Sequence, residues 1–193
     1  MRICVYGASS KTIDKKYIEQ AEALCEFLAK KGHTLVFGGG DNGLMGAAAR
    51  GFEKGGCTEI ISIAPKFFDV DGILFPRCTQ YIYPETMRIR KQQMENLAEA
   101  FIVLPGGIGT LDEFFEIITL RSLGRHNKPV AIFNCYGFYD SMLSMLTDFQ
   151  EKGFVRIPDD TLYGCFTGFE ELEEYLSTQN GEYFSAALFK DIK

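Results

Sequence analysis

The chain has no C-x-x-C pair, no stripe of Lys or Arg, no apolar run of bilayer-crossing length and only two histidines. Each absence removes a class of protein. A membrane-spanning helix needs roughly 20 apolar residues in a row. The opening Met1-Arg2-Ile3-Cys4-Val5-Tyr6 is too short for the apolar core of a signal peptide. The expectation is a soluble chain of the cytoplasm with no membrane partner. General nucleic-acid binding rests on neutralising phosphates with clustered cations. A formal net charge of -6, from 20 Lys and Arg against 26 Asp and Glu, argues against it. A small anionic ligand stays compatible, because local dipoles and a few cations suffice to hold one. His33 and His126 stand far apart, with no His–Cys or His–acid spacing of a zinc site, so no metal is expected. The six cysteines (Cys4, Cys25, Cys57, Cys78, Cys135 and Cys165) sit mostly in apolar segments, which suits buried thiols in a reducing compartment. There is no internal repeat, linker or low-complexity stretch.

What the chain does have is an alternation of apolar runs and helical patterns, the mark of a parallel sheet covered by helices. Strands are predicted over residues 3–6, 34–37, 59–63, 81–83, 100–104, 129–133 and 162–166. Helices are predicted over 15–30, 44–54, 87–98, 110–123, 138–152 and 170–177. Ile18, Ala21, Leu24 and Leu28 mark the buried face of the first helix, and Leu111, Phe114, Phe115 and Ile118 that of the fourth. The strand at 100–104 is wholly apolar and therefore central. Residues 65–76 read as a loop tucked down by Phe67, Phe68 and Phe75. At 193 residues and 46% hydrophobic content, one domain is expected. It is an α/β fold, a single-domain Rossmann-like three-layer sandwich with a mostly parallel central sheet over 1–178. Residues 179–193 are left as a C-terminal tail.

Two glycine turns follow predicted strands. In an open parallel sheet, ligands bind at the carboxyl ends of strands near a switch point. Glycines let backbone amides approach an anion, and the next helix adds its positive N-terminus. Gly38-x-Gly40-x-x-Gly43 matches the dinucleotide fingerprint formally. It follows the second strand, however, and the ribose-binding acid about 20 residues on falls at Glu59, which opens a strand instead of closing one. The second turn, Pro105 to Thr110, lacks the Lys-Ser/Thr ending of a P-loop. Either turn alone can be tight strand–helix packing; two at one sheet edge favour a phosphate-bearing ligand.

Pro105-Gly106-Gly107-Ile108-Gly109-Thr110-Leu111-Asp112-Glu113 resembles the PGGxGTxxE motif of the LOG family. Members of that family are cytokinin riboside 5'-monophosphate phosphoribohydrolases, often mislabelled lysine decarboxylases. Met87-Arg88-Ile89-Arg90-Lys91 is similar to its MHxRK block. Gly38-Gly39-Gly40 with Gly43-Leu44-Met45-Gly46 is similar to its GGGxxGLMG block. Leu123-Gly124-Arg125-His126-Asn127-Lys128-Pro129 is similar to its LGxHxKP block. Order and spacing hold from about Ile3 to Phe166.

The resemblance implies hydrolysis of the bond between an adenine-type base and ribose 5-phosphate, with no cofactor. Such a reaction passes through an oxocarbenium-like state, which a carboxylate beside the sugar stabilises. Glu113 suits that role, although Thr110-x-x-Glu113 also reads as a capping box. Arg90 is the implied catalytic partner, binding phosphate or donating to the departing base. The implied substrate-binding residues are Ser9, Gly39, Gly40, Met87, Arg88, Lys91, Gly106, Gly107, Ile108, Gly109, Thr110 and Glu116. Arg88, Arg90 and Lys91 read equally as a solvated helix face when taken without the motif, and Asp112 as a first-turn acid favoured by the helix dipole.

Arg88 stands where the family usually has His, Gly7-Ala8 where it commonly has Cys-Gly, and Leu120 where many members have Trp. All three positions are expected to border the base pocket. They leave open whether a cytokinin nucleotide or plain AMP is preferred. A non-catalytic nucleotide or cofactor carrier on the same fold is the second reading. A lysine decarboxylase needs pyridoxal phosphate on a lysine, and no lysine here is marked for it. The family resemblance also implies a homodimer, with the aromatic-rich helices after Thr110 and Phe138 as the pairing elements.

Overall fold

A computed structural model describes residues 1–70, 72–155 and 159–179. Seven strands form one sheet: β1 (Arg2–Tyr6), β2 (Thr34–Phe37), β3 (Ile60–Ile63), β4 (Gln80–Ile82), β5 (Ala100–Val103), β6 (Val130–Phe133) and β7 (Gly164–Phe166). Their order is β4-β3-β2-β1-β5-β6-β7, and every pairing is parallel. The expectation of a mostly parallel sheet thus becomes an all-parallel one. The chain runs outward from β1 to β4, then returns to the other side of β1 as β5. The switch point lies at the carboxyl ends of β1 and β5, where doubly wound sheets open a crevice.

The helices are α1 (Lys15–Lys30), α2 (Gly43–Lys54), α3 (Met87–Leu97), α4 (Ile108–Ser122), α5 (Asp140–Glu151), α6 (Asp159–Leu162) and α7 (Phe169–Thr178). Alternate strand residues feed two cores, as a pleated strand buried on both faces requires. Ile3, Val5, Leu35, Phe37, Ile102 and Phe133 pack with α1, α2 and α7. Cys4, Tyr6, Val36, Phe101, Val103 and Ile132 pack with side chains of α3, α4, α5 and α6. β5 and β6 are wholly apolar, and β1, β2 and β3 carry one polar residue each (Arg2, Thr34 and the buried Ser62), because both faces of these strands are covered.

Several expectations shift. Only Phe75 anchors the 65–76 loop; Phe67 and Phe68 are exposed on a short 3-10 turn, Lys66–Phe68. The buried stripe of α4 is Phe114, Ile117 and Ile118, with Leu111 and Phe115 at its margin and only partly covered; the helix also starts two residues earlier than predicted. Leu162 belongs to the unanticipated α6 and not to the last strand. The tail expected at 179–193 falls outside the described residues from position 180 onward.

Small residues on α2 let it lie close against α1. A Cβ on Gly51 would stand 2.4 Å from the Glu22 carbonyl oxygen and 2.8 Å from the Cys25 Cβ. In an unpacked helix, Gly→Ala stabilises by roughly 0.5–1 kcal/mol. Here the sign reverses. Gly51→Ala is expected to lower stability by about 1–3 kcal/mol, the usual cost of overpacking, in a urea unfolding series. A stabilised variant means α1 and α2 do not touch at this point.

Candidate functional site

The carboxyl ends of β1, β2 and β5 open onto one cavity of about 520 Å³. Gly7, Ala8, Ser9 and Ser10 line it from the loop after β1. Gly38, Gly40, Asn42 and Met45 come from the loop after β2 and from α2. Met87 and Arg90 come from α3, and Gly107, Gly109, Thr110, Asp112 and Glu113 from the start of α4. Phe68, Ile73 and Leu74 close the side nearest β3. The latter two are held there by backbone bonds from Asp41 N to Ile73 O (2.8 Å) and from Phe75 N to Gly39 O (2.8 Å).

Two helix N-termini point at this space, but they differ in what their amides already hold. The first amides of a helix have no intrahelical acceptor. In α2, those of Leu44 and Met45 donate to the Ala8 carbonyl at 2.7 and 3.3 Å. In α4, the cap is Gly107, and no side chain caps the helix. The first turn of α4, at residues 108–110, is therefore the better-prepared anion cradle. Ala8 N donates to Pro105 O at 3.2 Å, which ties the β1 loop to the same turn.

Beside this cradle lies a nearly buried ion pair. Arg90 Nη1 donates to Glu113 Oε1 at 3.1 Å, with the two side chains only 9% and 12% exposed. Arg90 Nε donates to the Ile63 carbonyl at the end of β3 (3.0 Å). The guanidinium then passes directly under Gly38, where a Cβ would stand 2.0 Å from Nη2. A side chain at position 38 would occupy the arginine's place. Burial pushes the Glu113 carboxyl up to about 7, against the pull of Arg90; Asp112 adds to the rise, and Lys91 opposes it. A carboxyl group that changes charge near neutrality, in a cavity, is suited to proton transfer or to steadying a cation. The capping-box reading of Thr110 and Glu113 fails, because α4 begins at Ile108 and Thr110 is already inside it.

Of the residues named from sequence, Ser9, Gly40, Met87, Arg90, Gly107, Gly109, Thr110 and Glu113 meet at the cavity. Gly39, Arg88, Lys91, Gly106, Ile108 and Glu116 do not line it. Ile108 is 90% exposed, and Arg88 is also exposed. Lys91 Nζ donates to Asp112 Oδ2 (3.0 Å) and pairs with Glu116, so these groups are engaged with one another. Among the three departures from the family pattern, only Gly7-Ala8 borders the cavity; Arg88 and Leu120 do not. Ser10 Oγ is bonded to Thr12 Oγ1 at 2.9 Å within its own turn.

Sequence reasoning missed Phe68, Ile73 and Leu74, which come from a loop with no periodic signal. It missed Met45 and Asn42 as lining residues, although the glycine block around them was legible. It also missed Tyr139, whose hydroxyl donates to the Leu104 carbonyl (2.8 Å) and braces the strand end that leads into Pro105. His126 is structural: its Nε2–H donates to Ile117 O (2.9 Å), while Nδ1 accepts from Lys128 N (3.2 Å). His33 lies between the N-terminal amine and Glu173, at 3.4 and 3.3 Å.

A doubly wound parallel sheet with its cavity at the switch point defines a Rossmann-like α/β protein. Its site couples an amide cradle to a buried carboxylate–guanidinium pair. Residues 45–176 match the family model described as "possible lysine decarboxylase". The chain belongs to this family, the LOG family. It is 40% identical over 154 residues to cytokinin riboside 5'-monophosphate phosphoribohydrolase LOG2 of Arabidopsis thaliana, covering 80% of this chain and 72% of that one. It is 39% identical over 154 residues to the phosphoribohydrolase LOG of Oryza sativa subsp. japonica, covering 80% and 63%. Among solved structures, the molybdenum cofactor binding protein from Rippkaea orientalis superposes with a TM-score of 0.69 at 19% identity, over 92% of this chain and 95% of that one. A Moco carrier protein from Chlamydomonas reinhardtii gives 0.68 at 18%, over 91% and 97%. At such identities these two likenesses establish the fold alone.

The carboxyl of Glu113 is expected to titrate with a midpoint near 7 in a carbon-13 NMR series on the free protein. Arg90→Met removes the nearest cation, which disfavours the carboxylate and moves the midpoint up. Gly38→Ala is expected to act in the same direction by pushing the guanidinium aside. An unchanged midpoint in both variants would mean the pair is not formed in solution.

Proposed function

We propose that this chain hydrolyses the N-glycosidic bond of a purine nucleoside 5'-monophosphate, releasing free base and ribose 5-phosphate. The observation that carries the reading is the Arg90–Glu113 contact beside the open N-terminus of α4, within one cavity. Membership in a family whose curated relatives are named phosphoribohydrolases supports the same reaction. The phosphate sits on the first-turn amides of α4, with Ser9 at its side. The ribose lies across the Arg90–Glu113 pair, and the base rests against Met45, Phe68, Ile73, Leu74 and Met87.

As the C1'–N bond lengthens, the sugar becomes cationic and the base leaves with the bonding pair; the proton it finally gains balances the one that water gives to Glu113, whose carboxylate is thereby restored. Ionised Glu113 steadies the cation and accepts a proton from the water whose oxygen joins C1'. Arg90 keeps the carboxylate aimed at the sugar. Of the residues expected to bind substrate, those on the cavity wall keep that role, while Gly39 and Gly106 shape the turns that present it. The apolar wall accepts an adenine ring with or without an alkyl substituent, and AMP belongs to the accepted substrates. The carrier reading uses the same fold but assigns no work to a carboxylate held against an arginine.

The finer expectations join this proposal: a homodimer, and a cytoplasmic setting. Exposed Phe138, Met145 and Phe149 on and beside α5 support the first, and six unpaired cysteines support the second. No helix among the described residues is long and apolar enough to cross a membrane.

Chromatography of reactions with AMP and with an N6-alkylated nucleotide tests the assignment. Base and ribose 5-phosphate are expected in equal amounts. Glu113→Gln is expected to keep nucleotide binding and lose about 10²–10⁴-fold in kcat. Because the ionised carboxylate is the working form, kcat/KM should rise with pH through the neighbourhood of 7 and then level off. Full turnover by Glu113→Gln, or stoichiometric binding with no hydrolysis by the unaltered protein, would overturn the proposal.

A further inference from the structure

Helix α4 carries three carboxylates within five positions: Asp112, Glu113 and Glu116. Asp112 and Glu116 stand four residues apart on one face, a spacing at which like charges repel. Only two cations from the neighbouring helix reach this cluster, and they are consecutive residues of α3. Arg90 meets Glu113 at 3.1 Å, while Lys91 meets Asp112 at 3.0 Å and also pairs with Glu116. Lys91 therefore bridges the two acids that flank Glu113, of which Asp112 borders the cavity while Lys91 itself does not line it.

We propose that Lys91 is a positioning residue: its two ion pairs straddle Glu113, lock α3 to α4 and hold Arg90 against the catalytic carboxylate. The proposal rests on the reading of Glu113 given above but goes beyond it, since the family resemblance places Lys91 among the substrate ligands. Geometry separates the two roles. An ammonium engaged by two carboxylates and absent from the cavity wall is poorly placed to meet a phosphate. It is well placed to set where the adjacent Arg90 reaches.

Charge balance points the same way. The groups acting on Glu113 are Arg90 and Lys91 from α3, Asp112 from α4, and Cys4 and Tyr6 from β1, while Glu116 joins the cluster through its pair with Lys91. Burial holds the Cys4 thiol and the Tyr6 phenol well above their ordinary ranges, so both are neutral near pH 7. The cluster then carries three negative and two positive charges when Glu113 is ionised. Without Lys91 the balance becomes three to one, and the Glu113 carboxylate is disfavoured. Asp112 and Glu116 are 60% and 33% exposed, so the pairs themselves add little to global stability. Their effect falls on Glu113, which is only 12% exposed.

The test uses the full chain and two readouts, the NMR titration of the Glu113 carboxyl and the pH profile of kcat with AMP. Lys91→Gln is expected to move the Glu113 midpoint up by roughly one pH unit and to carry the acidic limb of kcat with it. Lys91→Arg keeps the bridge and should leave both in place. Adding Asp112→Asn to Lys91→Gln removes the uncompensated charge and should return the midpoint toward that of the unaltered protein. Should Lys91→Gln fold poorly, Asp112→Asn alone is the second probe; it leaves the lysine in place and should lower the midpoint. If Lys91→Gln raises only KM and leaves the midpoint and the kcat limb unmoved, Lys91 is a substrate ligand and the proposal falls. A midpoint unmoved by Asp112→Asn also sinks it. The NMR arm needs no turnover: absence of hydrolysis in the unaltered protein would remove the hydrolase reading, and the titrations would still decide the role of Lys91.

Discussion

One contact organises this molecule's chemistry: a guanidinium held flat against backbone so that it can face a carboxylate that burial would otherwise keep protonated. Arg90 is gripped by the Ile63 carbonyl, roofed by a glycine that leaves no room for a side chain, and spent on Glu113. Removing either partner leaves the other nearly buried and unpaired, which is costly. Three separate parts of the chain are thereby committed to one another: the end of β3, the turn after β2 and the first turns of α4. Burial and attraction act on Glu113 in opposite senses, and the near-neutral balance between them lets the group change charge under ordinary conditions.

The sheet explains why these parts meet. With β1 and β5 adjacent and the chain leaving in opposite directions on either side, the loops after β1, β2 and β5 have only the carboxyl edge to occupy. The loops after β2 and β5 are short and glycine-rich, and the longer loop after β1 brings Gly7, Ala8, Ser9 and Ser10 to the same wall. Cross-links between loops, such as Ala8 N to Pro105 O and Phe75 N to Gly39 O, join that wall into a single surface. The same architecture occurs in molybdenum cofactor binding and carrier proteins at under 20% identity. A shared fold does not by itself assign chemistry, which falls to side chains such as Glu113.

Most of the architecture was legible from sequence because strands buried on both faces must be apolar runs, and helices that cover them must be amphipathic. The limits of α1 and β2 were read without error for that reason. The start of α4 was not, since Gly107 caps the helix with backbone alone and offers no residue-type signal. Residues 65–76 form the expected loop, but two of its three aromatics take other roles than anchoring it. Three phenylalanines look alike in sequence, yet only Phe75 reaches the core, while Phe68 turns toward the cavity. Nothing local distinguishes an aromatic that anchors a loop from one that lines a site.

The sequence by itself determined the layer order, the glycine turns and the residue types available at them, because periodicity and backbone freedom are properties of short stretches. Which of those residues touch was decided only in three dimensions. Arg90 and Glu113 are separated by β5 and its glycine turn, and Lys91 could face solvent or substrate on every local criterion. Their pairing depends on how α3 and α4 lie across the sheet, and that arrangement follows from burying two faces at once rather than from any segment read alone.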